Sequence, residues 1–325
     1  MSSIIYIVVP CYNEEAVLHE TSSRLAEKMH SLMQAGKISP LSRVMFVNDG
    51  SKDRTWEIIE ELVAGDTLFQ GVKLSRNKGH QNALLAGLMT AKDHCDAAIS
   101  MDADLQDDIN AVDEMIEKFD GGCDIVYGVR SERKTDTFFK KFTAQGYYKL
   151  LAMMGVDIVY NHADYRLMSR RALQNLESFG EVNLFLRGIV PMIGFKTDVV
   201  TYERHERLAG ESKYPFAGES KYPLKKMLAF AMEGITSLSV KPIRFITSTG
   251  FVIFVISLLM LIYSLVRYFM GATIPGWTSL AVSVWAIGGL QLLAIGVVGE
   301  YIGKIYLETK HRPKYIVETY LHRDE

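Results

Sequence analysis

An α/β fold with polar, acidic strand ends, followed by a pair of membrane-spanning helices, is what three observations predict for this chain. Its first half alternates short β-branched runs with helical patterns. Those runs stop at turn formers and acids, and the last third holds two long stretches without a charge.

Ile4-Ile5-Tyr6-Ile7-Val8-Val9 reads as a buried strand that opens into Pro10-Cys11-Tyr12-Asn13-Glu14-Glu15 and then a helical pattern through Met33. Val44-Met45-Phe46-Val47 reads as a second strand, running into Asn48-Asp49-Gly50-Ser51-Lys52-Asp53 and a helix from Thr55. Ligands of an open α/β sheet sit outside the carboxyl ends of its strands, so Asp49 is placed to accept hydrogen bonds from a base or ribose. A helix cap or Asx turn is its other reading. A third run, Ala97-Ala98-Ile99-Ser100-Met101, ends in Asp102-Ala103-Asp104-Leu105-Gln106-Asp107-Asp108. As a strand it would put Asp102 and Asp104 on one side of the pleat, a hard oxygen site for a divalent ion carrying phosphates. A lone D-x-D is short and common, and an ordinary acidic loop is the alternative.

Five motifs together resemble glycosyltransferase family 2: Val9-Pro10-Cys11-Tyr12-Asn13-Glu14, Val47-Asn48-Asp49-Gly50-Ser51, Ser75-Arg76-Asn77-Lys78-Gly79-His80, Met101 to Asp107, and Asp164-Tyr165-Arg166-Leu167-Met168-Ser169. Within it the chain is similar to polyprenyl-phosphate glycosyltransferases, relatives of dolichol-phosphate mannose synthase with two membrane helices. The resemblance covers nearly the whole chain and implies a Rossmann-like GT-A domain, a juxtamembrane amphipathic helix and a two-helix transmembrane hairpin. It implies a nucleotide-sugar site at Pro10, Tyr12, Glu14, Asp49, Asn77, Lys78, Gly79 and Asp102, and a metal site of Asp104 with Asp102 and Gln106 nearby. Mg²⁺ or Mn²⁺ suits those carboxylate and amide oxygens and would stabilise the charge growing on the leaving nucleotide.

Asp164 matches the family's catalytic aspartate. A phosphate acceptor has a second pKa of about 6 and is mostly a dianion at neutral pH, so Asp164 is expected to orient more than to deprotonate. A salt bridge to Arg166 is the competing reading. The family also places a phosphate-binding arginine where Arg130 ends the strand Asp124-Ile125-Val126-Tyr127, and a basic residue at Lys140. Arg187, Arg207 and Lys213 are further candidates for the acceptor phosphate, within a scatter of Arg133, Lys134 and Lys141.

Averages hide the membrane segments, because mean hydropathy is only +0.07 and the formal charge is −2. Nothing in that balance calls for a nucleic acid. Phe245 to Val266 is 22 residues without a charge, and a second uncharged run extends from Tyr268 to Gly299, its apolar body beginning at Trp277. Each exceeds the roughly 20 residues that span a bilayer, although a buried hairpin of core helices would show the same run. Lys241 and Arg244 precede the first run and Lys304, Lys310, Arg312 and Lys314 follow the second, while the connection holds only Arg267. The positive-inside rule then predicts a multi-pass protein of the inner membrane with both ends cytoplasmic. The first apolar run is short and strand-like, and no signal peptide is expected. The expected divisions are 1–223 catalytic, 224–242 juxtamembrane, spans near 245–267 and 277–299, and a tail over 301–325.

Cys11, Cys95 and Cys123 lack metal-ligand spacing and read as ordinary thiols. His80 reads as a packing or backbone-bonding residue no less than as a ligand contact. One departure from the family is plain: Ala209-Gly210-Glu211-Ser212-Lys213-Tyr214-Pro215 recurs after Phe216 as Ala217-Gly218-Glu219-Ser220-Lys221-Tyr222-Pro223. Such a duplication fits a loop, where insertion costs little. Leu224 to Val240 mixes basic and apolar residues, as would a helix lying on the bilayer or packed on the catalytic domain.

The expected activity is inverting, metal-dependent transfer of a hexose, foremost glucose from UDP-glucose, onto undecaprenyl phosphate at the cytoplasmic leaflet. N-acetylglucosamine, galactose, mannose or aminoarabinose donors would leave the same motifs. A processive polysaccharide synthase is disfavoured because no Q-x-x-R-W occurs. A non-catalytic partner in lipid-linked sugar translocation would be expected to lose acids that are all present here, at Asp49, Asp102, Asp104 and Asp164. Homo-oligomerisation is left open.

Overall fold

The computed structural model describes residues 2–131, 162–181, 184–203, 241–270 and 276–323. The chain divides into two compact units, one of Met1–Tyr148, Asp157–Pro223 and Arg312–Glu325, the other of Lys149–Val156 and Leu224–His311.

The first unit is built on an eight-stranded mixed sheet. Its strands are β1 (Ile5–Cys11), β2 (Arg43–Asn48), β3 (Phe69–Leu74), β4 (Ala97–Ser100), β5 (Ile125–Arg130), β6 (His162–Ser169), β7 (Thr197–Tyr202) and β8 (Val317–Leu321). They lie in the order β7-β5-β6-β4-β1-β2-β3-β8. β1 pairs in parallel with both β2 and β4, so the chain steps outward to β3 on one side and to β4 on the other. That reversal opens a crevice at the carboxyl ends of β1 and β4. β6 enters antiparallel to β4 and β5, which lays its amino-terminal end beside the carboxyl end of β4.

Every residue of β1 and β2 is buried, as expected of central strands covered on both faces. Helices α1 (Leu18–Gln34), α2 (Thr55–Gly65), α3 (His80–Ala91) and α4 (Ala111–Asp120) join the strands. α1 buries Leu18, Thr21, Ser22, Leu25, Met29 and Leu32, a stripe at helical spacing. α3 comes so close to the sheet that a Cβ on Gly87 would stand 2.4 Å from Val8 Cγ1 and 2.6 Å from Val47 Cγ2. Two short helices, α5 (Arg170–Glu177) and α6 (Leu186–Met192), follow β6. Ser169 caps α5 by accepting from the Ala172 amide, and Asp124 accepts from Ser169 Oγ at 2.9 Å and from the Arg171 guanidinium.

The second unit contains α7 (Lys241–Phe269) and α8 (Trp277–Thr309). At 1.5 Å per residue, 29 and 33 residues both exceed a hydrocarbon core of about 30 Å. Among the described residues, Ile287–Thr309 is the one stretch long and apolar enough to cross a membrane. α7 covers the other expected span as helix, with Phe245, Phe251, Leu259 and Ile262 exposed.

Two expectations change. The D-x-D is not on the strand: β4 stops at Ser100, and Asp102 to Gln106 form a turn in which Leu105 takes a left-handed φ of 50°. Residues 301–325 are not simply a tail, because α8 runs on to Thr309 and β8 then joins the sheet edge, antiparallel to β3. The juxtamembrane segment through residue 240 and the duplicated loop lie outside the described residues.

Candidate active site

The loops after β1 and β2 are knitted by their own polar side chains. Asn13, in the left-handed region that asparagine tolerates, receives the Lys52 amide on its Oδ1 at 2.9 Å and donates its own amide to Ser51 Oγ at 3.0 Å. The Glu14 amide donates to Thr55 Oγ1 at 2.9 Å. Pro10 is buried within β1, whereas Tyr12 and Glu14 stand half-buried just beyond it.

Asp49 turns out to be a loop anchor. Its carboxylate, 2% exposed, accepts the amides of Lys78 at 2.6 Å and Gly79 at 2.9 Å. Burial raises its pKa, with those two amides and His80 pulling the other way. The Asn77–Gly79 loop is pressed against the β2 turn, since a Cβ on Gly50 would lie 2.5 Å from the Asn77 amide nitrogen. Asp49, expected to accept hydrogen bonds from a base or ribose, here shapes the loop that Asn77, Lys78 and Gly79 form.

Beyond β4 the accessibility alternates: Met101, Ala103, Leu105 and Asp107 are buried, and Asp102, Asp104 and Gln106 are half-buried. The three residues expected at a metal site thus share the accessible side although the backbone is a turn. Asp104 Oδ1 also accepts the Gln106 amide at 3.2 Å. Among the described residues no three of His, Cys, Asp and Glu are grouped to hold a metal by themselves.

His80 opens α3 and stands 3.5 Å from Asp102 Oδ1 and 3.9 Å from Asp164 Oδ2. Asp102 is pushed up to about 6, first by desolvation and then by the charges of Asp107, Asp164 and Asp104, against the pull of His80. Negative charge is concentrated here.

Asp164 reaches this cluster because β6 is antiparallel, and Ser100 Oγ donates to the Asp164 carbonyl. Its carboxylate is clamped. Arg166 Nη2 donates to Oδ1 at 2.9 Å, and Arg187 donates through Nε to Oδ1 at 3.3 Å and through Nη2 to Oδ2 at 3.1 Å. Burial alone would raise this acid, but Arg166, Arg187 and His80 overcome it and hold the pKa at about 2. Asp164 is consequently ionised at neutral pH and a feeble base. Arg187, expected on the acceptor phosphate, donates to Asp164 here and keeps 38% of its side chain exposed.

Arg130 closes β5, its Nε donating to Tyr202 Oη at 3.2 Å and its Nη2 to Asp107 Oδ1 at 3.4 Å. Tyr202 donates to the same Asp107 oxygen at 2.6 Å. Asp107 and Tyr202 were not anticipated. Asp107 could have been found from the alternation after Met101, while Tyr202 depends on β7 pairing with β5 and leaves no local signal. Lys140, Arg207 and Lys213 lie outside the described residues. A cavity of about 400 Å³ is lined by Arg24, Lys28, Asp107 and Asp108 among others, but not by His80, Asp102 or Asp164. The acid cluster, not the cavity, marks the chemistry.

Comparison with known proteins agrees with this geometry. The family model described as Glycosyl transferase family 2 matches residues 6–177. The uncharacterized glycosyltransferase YkoT of Bacillus subtilis is 52% identical over 322 residues, covering 99% of this chain and 93% of its own. The bactoprenol glucosyl transferase of Shigella phage SfV is 42% identical over 325 residues, covering 97% of this chain and 98% of its own. Among solved structures, glucosyl-3-phosphoglycerate synthase from Mycobacterium tuberculosis is 18% identical over 73% of this chain and 78% of its own, with a TM-score of 0.42, a likeness too distant to argue from. With the family's motifs folded into one cluster at the strand ends, the chain belongs to glycosyl transferase family 2 and is a glycosyltransferase.

Proposed function

We propose that this enzyme transfers a glucosyl residue, with inversion, from UDP-glucose to a polyprenyl phosphate of the undecaprenyl class at the cytoplasmic leaflet. The observation that carries the reading is the clamp on Asp164. Arg187 keeps 38% of its side chain exposed while it holds Asp164, and so offers a cation beside the D-x-D where an anionic acceptor can be received. Relatives named bactoprenol glucosyl transferase, similar along nearly the whole chain, support the glucosyl donor and the lipid acceptor.

A phosphate dianion needs no base to become a nucleophile, which suits a carboxylate held near a pKa of 2. Asp164, itself held by the buried Arg166, would then fix Arg187 and so orient the acceptor, its fixed geometry lowering the entropy cost of reaching the anomeric carbon. Asp49 holds the Lys78–Gly79 backbone against the donor side. The donor set fits a divalent ion: two carboxylates and an amide on one accessible side, leaving room for phosphate oxygens. Asp104, Asp102 and Gln106 would hold it. Bound Mg²⁺ or Mn²⁺ supplies Lewis-acid stabilisation of the departing nucleotide diphosphate.

The domain reading that goes with this function is a catalytic part in 1–223, a juxtamembrane helix in 224–242, and spans near 245–267 and 277–299. Its support is connectivity: β8 follows α8 in sequence yet pairs with β3, which precedes α7. A chain that leaves a sheet and returns to it crosses a bilayer an even number of times. By the positive-inside rule, the basic flanks support a cytoplasmic position for both ends.

The test incubates full-length protein with a panel of nucleotide sugars, Mg²⁺ or Mn²⁺ and undecaprenyl phosphate, and identifies the lipid product by mass. A hexosyl undecaprenyl phosphate formed from UDP-glucose is expected. Absence of any glycolipid from every donor would overturn the reading.

A further inference from the structure

We propose that Asp107 and Tyr202 are positioning residues that fix the Arg130 guanidinium for the acceptor phosphate and tie it to the D-x-D loop. This rests on the function proposed above and adds two side chains to it.

The register of the sheet makes the arrangement. β7 runs parallel to β5 and pairs Tyr202 with Arg130, so the two side chains rise together at the end of adjacent strands. Asp107 arrives from the loop that carries Asp102, Asp104 and Gln106. The three polar groups close a ring: Arg130 Nε to Tyr202 Oη at 3.2 Å, Tyr202 Oη to Asp107 Oδ1 at 2.6 Å, and Arg130 Nη2 to the same oxygen at 3.4 Å.

Two bonds from one guanidinium set the orientation of its plane as well as its position. The ring's other members cannot drift, because Asp107 and Tyr202 are each only 3% exposed while the Arg130 side chain keeps 26%. Tyr165 braces the pair from below the ring edge, its ring 5.2 Å from that of Tyr202 at 82° and its hydroxyl donating to the Asp108 carbonyl at 3.0 Å.

Stability alone is a poor explanation for this arrangement. Asp107 Oδ2 is buried and has no hydrogen-bond partner among the described residues, so the carboxylate loses water that the fold does not fully replace. Both donors instead converge on Oδ1, the oxygen that orients Arg130. Because Asp107 belongs to the D-x-D loop, the ring also keeps the acceptor-side arginine in register with the donor-side acids.

A double-mutant cycle on full-length protein, assayed with UDP-glucose and undecaprenyl phosphate, separates positioning from structure. Tyr202→Phe keeps the ring and removes one hydroxyl. It should raise the acceptor KM about tenfold, the loss of one charge-assisted bond, with the donor KM within about twofold of wild type. Asp107→Asn should act in the same direction. Arg130→Ala alone should cost more, and Arg130→Ala with Tyr202→Phe should be no worse than Arg130→Ala, because the hydroxyl then has nothing to orient. Multiplying effects in the double variant would overturn the proposal, as would an unchanged acceptor KM in a Tyr202→Phe protein that merely melts earlier. Should Asp107→Asn fail to fold, the Tyr202 cycle decides by itself. An inactive wild type would overturn the function and this role together, whereas an active wild type with a multiplicative cycle overturns this role alone.

Discussion

Asp164 illustrates how a residue's role follows from the charges around it more than from its own chemistry. With Arg166 1% exposed and donating to it, the carboxylate is far better charged than neutral in the folded protein. A folded pKa of about 2 against about 3.9 unfolded corresponds to roughly 2.5 kcal/mol of stability, fully present above the unfolded pKa and lost as pH falls through the folded one. Asp164→Asn should therefore lower stability by at least about 2 kcal/mol at pH 7, and the gap should close as pH falls from about 4 toward 2. Thermal unfolding of both proteins across that range checks it; a pH-independent gap would refute the linkage. Asp104 is a different case, half-buried at the surface of its turn. Asp104→Asn should leave the fold intact and reduce transfer at least about a hundredfold, the usual effect of removing one stabiliser of leaving-group charge. Full activity with unchanged metal dependence would sink that assignment.

Helix α3 and strand β8 show elements held by close approach and by edge pairing respectively. Gly87 lets α3 lie directly on Val8 and Val47, so Gly87→Ala should destabilise by about 1–3 kcal/mol through overpacking, despite alanine's better helix propensity. Chemical denaturation gives the number, and a stabilised variant would mean the helix can lift away without penalty. β8 covers the β3 edge, with Tyr320 Oη donating to Gln70 Oε1 at 2.9 Å, Lys314 Nζ to the Phe179 carbonyl at 2.7 Å and Arg323 Nη1 to the Ala64 carbonyl at 2.7 Å. Truncation after His311 should lower the melting temperature and promote association through the bared edge. A truncated protein that melts like wild type and stays dispersed would show β8 to be dispensable.

For the molecule as a whole, β8 makes topology a matter of connectivity. Cys11, Cys95 and Cys123 are buried, so single cysteines introduced at Glu60, Thr273 and Glu318 can be read against a quiet background. In intact cells a membrane-impermeant thiol reagent should label Thr273→Cys from outside and leave Glu60→Cys and Glu318→Cys untouched until the membrane is opened. Equal labelling of all three would remove the two-span reading. Labelling of Glu318→Cys alone would contradict the pairing of β8 with β3.

Much of this protein was legible in its sequence, because strand and helix patterns and the motifs at strand ends are local. β2 and the start of α2 fall within about a residue of where the pattern put them, β1 runs two residues further, to Cys11, and the apolar bodies of the two uncharged runs lie within α7 and α8. The acids Asp102, Asp104 and Asp164 were named from motifs alone. What the sequence could not decide was partnership, since hydrogen-bond partners far apart in the chain are set by strand order and register. Only the antiparallel entry of β6 puts Asp164 beside His80 and Asp102, and only the fold gives Arg187 to Asp164. Nothing local shows that two amides some thirty residues on donate to the Asp49 carboxylate. Tyr202 and β8 were invisible for the same reason: a short strand is identified by the neighbour it pairs with, and that neighbour is chosen by the tertiary structure.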